Sequence, residues 1–209
     1  MVTSKSLLAL LATERVLPII RTDTHEKAIK IGLTLAEFGF KVLEVSLTTP
    51  KALDAIRELS GMDSVEVGAG TVLTSANALA ARDAGATFIV TPAITESLET
   101  AVHMNIPVLA GAFTPTEILT AYEAGATAVK LFPAGAAGPS YFSAIRAPLP
   151  DIPLIPVGGI TVSTGIEYLS RGALALGVGS PLTGGATDPM NMEALKARAQ
   201  EFRSLRTNS

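Results

Sequence analysis

The sequence predicts an α/β fold, a (β/α)8 TIM barrel with an N-terminal helix. The first observation is a repeat: four segments each carry a glycine where a helix would end, followed by a β-rich run. These glycines lie about 40 to 47 residues apart, which is the length of two strand–helix units. The second observation is that further apolar runs lie between the repeats, so that eight strands alternate with eight helices.

The elements follow one another in a regular order. Residues 1–18 are predicted to begin with an amphipathic helix, because their short apolar stretch lacks the small-residue cleavage site of a signal peptide. The segments with strand character are 16–21, 38–45, 65–70, 84–91, 107–110, 124–131, 152–157 and 171–178. Amphipathic stretches typical of helices follow most of them, as at 24–38, 75–84, 116–124 and 162–170. Continuous apolar strands are what a parallel sheet covered on both faces requires.

The chain is predicted to form a single domain. No Pro/Ser-rich linker interrupts its 209 residues, so the predicted domain runs from 1 to 209. A doubly wound open sheet is the alternative architecture. It is disfavoured because no G-x-G-x-x-G motif follows the first strand.

Composition excludes several classes of function. Hydrophobic residues make up 48% of the chain, yet no apolar run reaches the roughly 18 residues that span a bilayer. The net charge of −3 and the lack of a Lys/Arg cluster indicate neither a nucleic-acid nor a membrane partner. There is no cysteine, and the two histidines, His25 and His103, are far apart, so no metal site and no cofactor are expected. These features favour a cytoplasmic protein that acts on a small molecule.

Lys130 is the residue that points most directly to chemistry, because it interrupts an apolar run that is otherwise typical of a buried strand. Burial disfavours the charged ammonium form, and a neutral buried lysine is suited to attack a carbonyl and form a Schiff base. The alternative is a lysine at a strand edge whose stem reaches out to solvent.

The period of the repeat brings a second ionisable residue to the same place. The residues five positions after the repeat glycines are Glu44, Val90, Lys130 and Gly177, and those seven positions after are Ser46, Pro92, Phe132 and Gly179. Side chains alternate along a strand, and alternate strands of a barrel share an interior layer. Glu44 and Lys130 are therefore predicted to face each other, Lys130 as nucleophile and Glu44 as proton shuttle. A buried ion pair that only supports the barrel is the alternative interpretation.

Glycines at two strand ends predict an anion site. Gly158 and Gly159 follow the seventh strand, and Gly179 and Ser180 follow the eighth. Glycine lets backbone N–H groups approach an anion, and barrels of this kind bind phosphate at these two loops. Tight turns would also explain the glycines. Arg21, at the end of the first strand, is the candidate for a bidentate carboxylate contact, unless it is an ordinary surface arginine.

Five motifs together carry a family resemblance. They are Leu43-Glu44-Val45, Val67-Gly68-Ala69-Gly70-Thr71-Val72, Val90-Thr91-Pro92, Val129-Lys130-Leu131-Phe132-Pro133 and Pro156-Val157-Gly158-Gly159-Ile160. In this order the set resembles the 2-keto-3-deoxy-6-phosphogluconate aldolase family. That family also includes 4-hydroxy-2-oxoglutarate and 2-keto-3-deoxy-6-phosphogalactonate aldolases.

The resemblance implies a homotrimeric class I aldolase. Such an enzyme cleaves a phosphorylated 2-keto-3-deoxy sugar acid, as small-molecule substrate, to pyruvate and glyceraldehyde 3-phosphate. It implies that Lys130 forms the Schiff base, that Glu44 is the general acid and base, and that phosphate lies at Gly158, Gly159, Gly179 and Ser180. It also implies that Thr71, Pro92 and Phe132 line the part of the site that binds the pyruvate portion of the substrate.

One position departs from the pattern of some family members. They carry an arginine four residues after the glutamate, where this chain has Thr48, whereas other members resemble this chain in having an arginine at the end of the first strand. The sequence leaves the C4 configuration of the substrate open. Two other classes also stay open: a phosphate-binding isomerase or epimerase on the same barrel, and a structural subunit that retains the motifs without turnover.

Overall fold

The computed structural model describes residues 2–206, and its strands form one parallel sheet. The ends of the predicted domain, residue 1 and residues 207–209, lie outside the described residues. The strands are β1 (Val16–Ile20), β2 (Val42–Ser46), β3 (Glu66–Gly70), β4 (Phe88–Val90), β5 (Val108–Ala112), β6 (Ala128–Leu131), β7 (Leu154–Pro156) and β8 (Leu176–Val178).

Helices alternate with these strands. They are α1 (Ser4–Glu14), α2 (His25–Glu37), α3 (Ala52–Leu59), α4 (Ser75–Asp83), α5 (Glu96–His103), α6 (Pro115–Glu123), α7 (Ala134–Arg146), α8 (Val162–Ser170), α9 (Ser180–Thr183) and α10 (Met192–Arg203). The short α9, which follows β8 directly, was not predicted from the sequence. Within the described range no helix has both the length and the apolar character needed to traverse a bilayer.

The sheet closes on itself. The strand order is β7-β6-β5-β4-β3-β2-β1-β8, so each strand pairs with its neighbours in sequence and β1 pairs with β8. The two ends of this order meet through a parallel bridge between Val157 and Gly177. The predicted (β/α)8 barrel with an N-terminal helix is therefore confirmed.

The repeat glycines mark the turns from helix to strand. Gly39, Gly85, Gly125 and Gly172 have φ angles of 82°, 98°, 97° and 89°. This left-handed conformation is accessible to glycine but strained for residues with a Cβ. The repeat seen in the sequence therefore has a backbone cause, since the chain reverses at the same point of alternate strand–helix units.

Helix α1 closes the amino-terminal end of the barrel. Leu7 and Leu11 are fully buried and belong to the same cluster as interior strand residues such as Leu17, Val42 and Phe88. Thr3 caps this helix by accepting a hydrogen bond from the Ser6 N–H. With one end filled by leucines, the opposite, carboxyl-terminal end is the side on which a ligand has access to the interior.

An ion cluster ties the two ends of the chain together at the covered end of the barrel. Glu14, the last residue of α1, has a fully buried side chain. Its carboxylate lies 3.4 Å from Nη1 of Arg203 and 3.0 Å from Nη2 of Arg206. These contacts are ion pairs by distance, but no residue in the range 2–206 donates an aligned hydrogen bond to Glu14 Oε1.

Replacing Glu14 by alanine is expected to lower the free energy of unfolding by about 3–5 kcal/mol, because two partly buried guanidinium groups lose their counter-charge. Urea denaturation measures this change. The matched control is Glu201→Ala, an exposed glutamate on α10, for which a change within about 0.5 kcal/mol is expected. Equal values for the two variants would contradict an anchoring role for Glu14.

Candidate active site

A cavity of about 450 Å³ opens at the carboxyl-terminal end of the barrel. Nine of the ten residues predicted from the sequence line it: Arg21, Thr71, Pro92, Lys130, Phe132, Gly158, Gly159, Gly179 and Ser180. They follow or end six different strands, which only closure of the barrel brings together. The tenth, Glu44, is buried beneath the cavity in β2 with 1% of its surface exposed.

Lys130 is the one buried lysine among the described residues. It lies in β6 between Val129 and Leu131, and it is 6% exposed. Its Nζ lies 5.1 Å from the centroid of the Phe132 ring, which forms part of the cavity wall. The alternative of a lysine at a strand edge whose stem reaches out to solvent does not describe Lys130, because the exposed part of its side chain faces the cavity. The amine is held on an apolar strand at the point where a ligand would meet it.

Glu44 is a buried carboxyl group, and its Oε2 atom has no hydrogen-bond partner among the described residues. Burial raises the pKa of Glu44 above its ordinary value, while the positive charges of Lys130 and Arg21 oppose this rise. Among the ion pairs of residues 2–206, none joins Glu44 to Lys130. Burial therefore favours the protonated form of the Glu44 carboxyl group relative to an exposed glutamate.

Two glycines that were not assigned to the site make room for it. A Cβ at Gly70 would collide with the Glu44 carboxyl group, and a Cβ at Gly111 would collide with the backbone of Pro92. Glycine inside a strand marks a close approach of another group. That signal was present in the sequence at Gly70, but its closeness to the Glu44 carboxyl group is visible only in the structure, where β2–β3 pairing sets Gly70 opposite Ser46 and Gly68 opposite Glu44.

Thr71 is held in an unusual backbone conformation at the cavity wall. Its φ of 58° lies in the left-handed region, where a β-branched residue is rare and costs about 1–2 kcal/mol. Its hydroxyl lies 2.9 Å from Oγ of Ser46, which is fully buried in β2. Such strain, maintained by surrounding structure, is concentrated at functional sites. Ser46 was predicted to face this layer, but its contact with Thr71 was not.

The predicted anion sites also have a defined geometry. Gly158 and Gly159 have φ angles of 102° and 70°, so their backbone takes a path that side chains with a Cβ disfavour. This path is fixed by a hydrogen bond from the Gly135 N–H to the Gly158 carbonyl, 2.9 Å long. Gly179 and Ser180 line the same cavity. Arg21 is exposed and lines the cavity close enough for its charge to act on Glu44.

Comparison with known proteins identifies the relatives of this chain. Residues 8–196 match the family model for KDPG and KHG aldolase, the aldolases of 2-keto-3-deoxy-6-phosphogluconate and 4-hydroxy-2-oxoglutarate. The chain is 39% identical to the 2-dehydro-3-deoxy-phosphogluconate aldolase of Pseudomonas aeruginosa over 75% of its length and 72% of the relative. It is 37% identical to the 2-dehydro-3-deoxy-6-phosphogalactonate aldolase of Escherichia coli, covering 78% of this chain and 82% of that one.

A solved structure of the same kind superposes closely. The KDPG aldolase of Legionella pneumophila, with pyruvate captured as a covalent carbinolamine intermediate, has a TM-score of 0.82 and 29% identity. The superposition covers 96% of this chain and 98% of that one. The barrel and the site define an aldolase, which is a carbon–carbon lyase. The chain belongs to the KDPG and KHG aldolase family.

Proposed function

We propose that the chain is a Schiff-base aldolase that cleaves 2-keto-3-deoxy-6-phosphogluconate, or a close 2-keto-3-deoxy sugar acid phosphate, to pyruvate and glyceraldehyde 3-phosphate. The observation that carries this proposal is the buried Lys130 on the floor of the cavity, above a buried Glu44 whose pKa is raised. A carbonyl that enters the cavity meets an amine and a proton donor together. The carbinolamine seen in the related Legionella pneumophila enzyme supports the same chemistry.

Lys130 supplies the nucleophile in this mechanism. Its Nζ attacks the C2 ketone, and the carbinolamine loses water to give a protonated imine. Removal of the C4 hydroxyl proton breaks the C3–C4 bond, whose electron pair moves into the imine to form an enamine as the aldehyde leaves. Protonation of C3 and hydrolysis of the imine release pyruvate and regenerate the free amine.

Glu44 moves the protons that these steps require. The carbinolamine hydroxyl must be protonated before it leaves as water, and a base must accept the proton of the C4 hydroxyl. A carboxyl group with a raised pKa, whose Oε2 accepts no hydrogen bond from the part of the chain that the structure describes, can serve as acid and base in turn. Its position beneath the cavity excludes bulk water from the proton-transfer step.

The two ends of the substrate are assigned to separate groups. Arg21 and Thr71 are proposed to bind the carboxylate, since guanidinium and hydroxyl groups both donate to anionic oxygens. Pro92 and Phe132 form the apolar wall beside the pyruvate carbons. The phosphate is assigned to the backbone of Gly158, Gly159, Gly179 and Ser180, where glycine permits close approach.

A substrate panel with coupled detection of pyruvate tests the proposed function. The panel contains 2-keto-3-deoxy-6-phosphogluconate, its C4 epimer from the galactonate series, and 4-hydroxy-2-oxoglutarate. The highest kcat/KM is expected for the gluconate-type substrate. The galactonate-type activity is the second candidate, because one relative of that name is 37% identical to this chain. Preference for the galactonate epimer or for 4-hydroxy-2-oxoglutarate would replace the proposed substrate.

The remaining alternatives give different results. An isomerase or epimerase on this barrel would release no pyruvate and would not be trapped by borohydride. A structural subunit would neither release pyruvate nor be trapped by borohydride.

A homotrimer is also proposed, because exposed apolar side chains such as Leu73, Leu79 and Leu119 are the kind of surface that association covers. Sedimentation equilibrium determines the number of subunits.

The two anion sites are expected to respond to substitution separately. Gly179→Val should raise KM for phosphorylated substrates far more than for 4-hydroxy-2-oxoglutarate, which has no phosphate. The nearest atom to a Cβ at Gly179 is the Ile19 carbonyl oxygen at 3.9 Å, so the added side chain has no close clash with the core. Thermal denaturation of the variant checks that the barrel is intact. Equal losses for all substrates would place the phosphate elsewhere.

Arg21→Ala, by contrast, should weaken every substrate and also pyruvate, because all share the 2-keto carboxylate. Loss of a charge-assisted contact corresponds to about 1.5–3 kcal/mol. Arg21→Lys, which keeps the charge but loses the planar fork, should retain part of this affinity. The half-saturating pyruvate concentration for borohydride trapping is the measurement. An unchanged value for Arg21→Ala would leave Thr71 and nearby backbone amides as the carboxylate site.

A further inference from the structure

Three hydroxyl groups form a chain that leads from the surface to the cavity. Oγ of Ser46 lies 2.8 Å from Oγ1 of Thr48 and 2.9 Å from Oγ1 of Thr71. Ser46 is fully buried, Thr48 is exposed and does not line the cavity, and Thr71 forms part of the cavity wall. The Thr48 N–H also donates a long hydrogen bond to Ser46 Oγ at 3.5 Å.

The buried position of Ser46 gives this chain a direction. A serine hydroxyl has one proton to donate and two lone pairs that accept. Within residues 2–206, Ser46 Oγ has no acceptor for its proton other than the hydroxyls of Thr48 and Thr71. A buried hydroxyl proton is nearly always hydrogen-bonded. Ser46 therefore donates to one threonine and accepts from the other, and the chain runs either toward the cavity or away from it.

The direction decides what Thr71 presents to a ligand. If Thr71 accepts from Ser46, its own proton is free to be donated into the cavity. If Thr71 donates to Ser46, only its lone pairs face the cavity. A carboxylate accepts hydrogen bonds and donates none. A bound 2-keto carboxylate therefore requires the first arrangement, in which Thr48 donates to Ser46 and Ser46 donates to Thr71.

We propose that Ser46 is a positioning residue that orients the Thr71 hydroxyl proton toward the substrate carboxylate by donating its own proton to Thr71. This inference rests on the proposed function, since it takes a 2-keto acid as the ligand. Ser46 does not touch the substrate. It acts through Thr71, whose left-handed backbone places its hydroxyl beside Ser46 and whose side chain has no other hydrogen bond in the described part of the chain.

The test compares Ser46→Ala with Thr48→Val. Alanine removes the hydroxyl that donates to Thr71, whereas valine at position 48 leaves Thr71 as the one acceptor for the Ser46 proton among the described residues. Ser46→Ala should raise the half-saturating pyruvate concentration for borohydride trapping, and KM for the phosphorylated substrate, by about 2- to 10-fold with a smaller change in kcat. Thr48→Val should not weaken the binding of pyruvate. Because Thr48 is exposed, its replacement is not expected to impair folding, and thermal denaturation checks the fold of Ser46→Ala.

A neutral ketone separates orientation of the carboxylate from general distortion of the site. Acetone has the ketone of pyruvate without its carboxylate, so its trapping by borohydride should be unchanged in Ser46→Ala. Thr48→Val should show no loss for either ketone. Parallel losses for both ketones in Ser46→Ala, an unchanged pyruvate affinity in that variant, or a loss of pyruvate affinity in Thr48→Val would overturn the inference. Failure of pyruvate to label Lys130 in the wild-type protein would instead overturn the proposed function on which it rests.

Discussion

Replacement of Lys130 by alanine is expected to abolish release of pyruvate from every substrate of the panel. The C3–C4 bond breaks only when its electron pair has an acceptor, and the imine formed on Lys130 is that acceptor. No other buried lysine lies among the described residues to replace it. The coupled pyruvate assay measures the loss.

Borohydride trapping identifies the nucleophile directly. Wild-type protein treated with pyruvate and borohydride should gain the mass of one reduced adduct on the peptide that contains Lys130. Lys130→Met, which keeps most of the side-chain volume, should be folded and unlabelled. The matched control is Lys41→Ala, which removes an exposed lysine and should leave labelling and turnover unchanged. Labelling on Lys41 or Lys51, or turnover by Lys130→Met, would contradict the assignment.

Replacement of Glu44 by glutamine is expected to lower kcat by about 10²- to 10⁴-fold, the usual contribution of a positioned acid or base. The amide has the shape of the carboxyl group but cannot exchange a proton with the substrate. Pyruvate should still be trapped on Lys130, although more slowly, because the nucleophile remains. If Glu44→Gln retained near wild-type turnover, the role of Glu44 would be structural and not catalytic.

The buried glutamate at the other end of the barrel is the matched control for this substitution. Glu14 is buried to the same degree but lies beside Arg203 and Arg206, away from the cavity. Glu14→Gln should reduce stability and leave kcat unchanged, whereas Glu44→Gln should reduce kcat. If both variants lost activity in proportion to stability, the effect of Glu44 would not be catalytic.

The raised pKa of Glu44 also predicts how stability depends on pH. The native state binds the Glu44 proton more tightly than the unfolded chain, in which the carboxyl group has its ordinary pKa of 4.5. Its contribution to stability is therefore fully present below pH 4.5 and is lost as the pH rises through the folded-state pKa. Relative to Glu44→Gln, wild-type protein should lose unfolding free energy over this range. Denaturant titrations at a series of pH values measure this difference, and an opposite slope would contradict the raised pKa.

The shared layer of Glu44 and Lys130 was predicted from counting residues alone. The count rests on the repeat glycines, which hold fixed backbone positions with φ near 90° at the helix ends. Counting from them preserves the alternation of side chains in each strand. The same count predicted that Pro92, Phe132 and Gly179 would lie toward the carboxyl-terminal end of the barrel, and all three line the cavity there.

The contacts around these residues could not be predicted in the same way. The sequence suggested a Glu44–Lys130 ion pair as one alternative, yet the two groups form no such pair in the described structure. The space that Gly70 leaves for the Glu44 carboxyl group depends on the register of β2 and β3. Register is a property of two strands together, so neither strand specifies it by its own composition.

What the sequence determined by itself was the local and periodic part of this protein: the strand–helix repeat, the glycine turns, and the face on which each strand residue lies. These follow from backbone conformation and side-chain alternation, which act over a few residues. Only the tertiary structure decided which groups touch, as in the hydroxyl chain from Thr48 to Thr71 and the contact of Glu14 with Arg203. Such contacts join residues that are far apart in the chain, and their distances are set by closure of the whole barrel and the stagger of its strands.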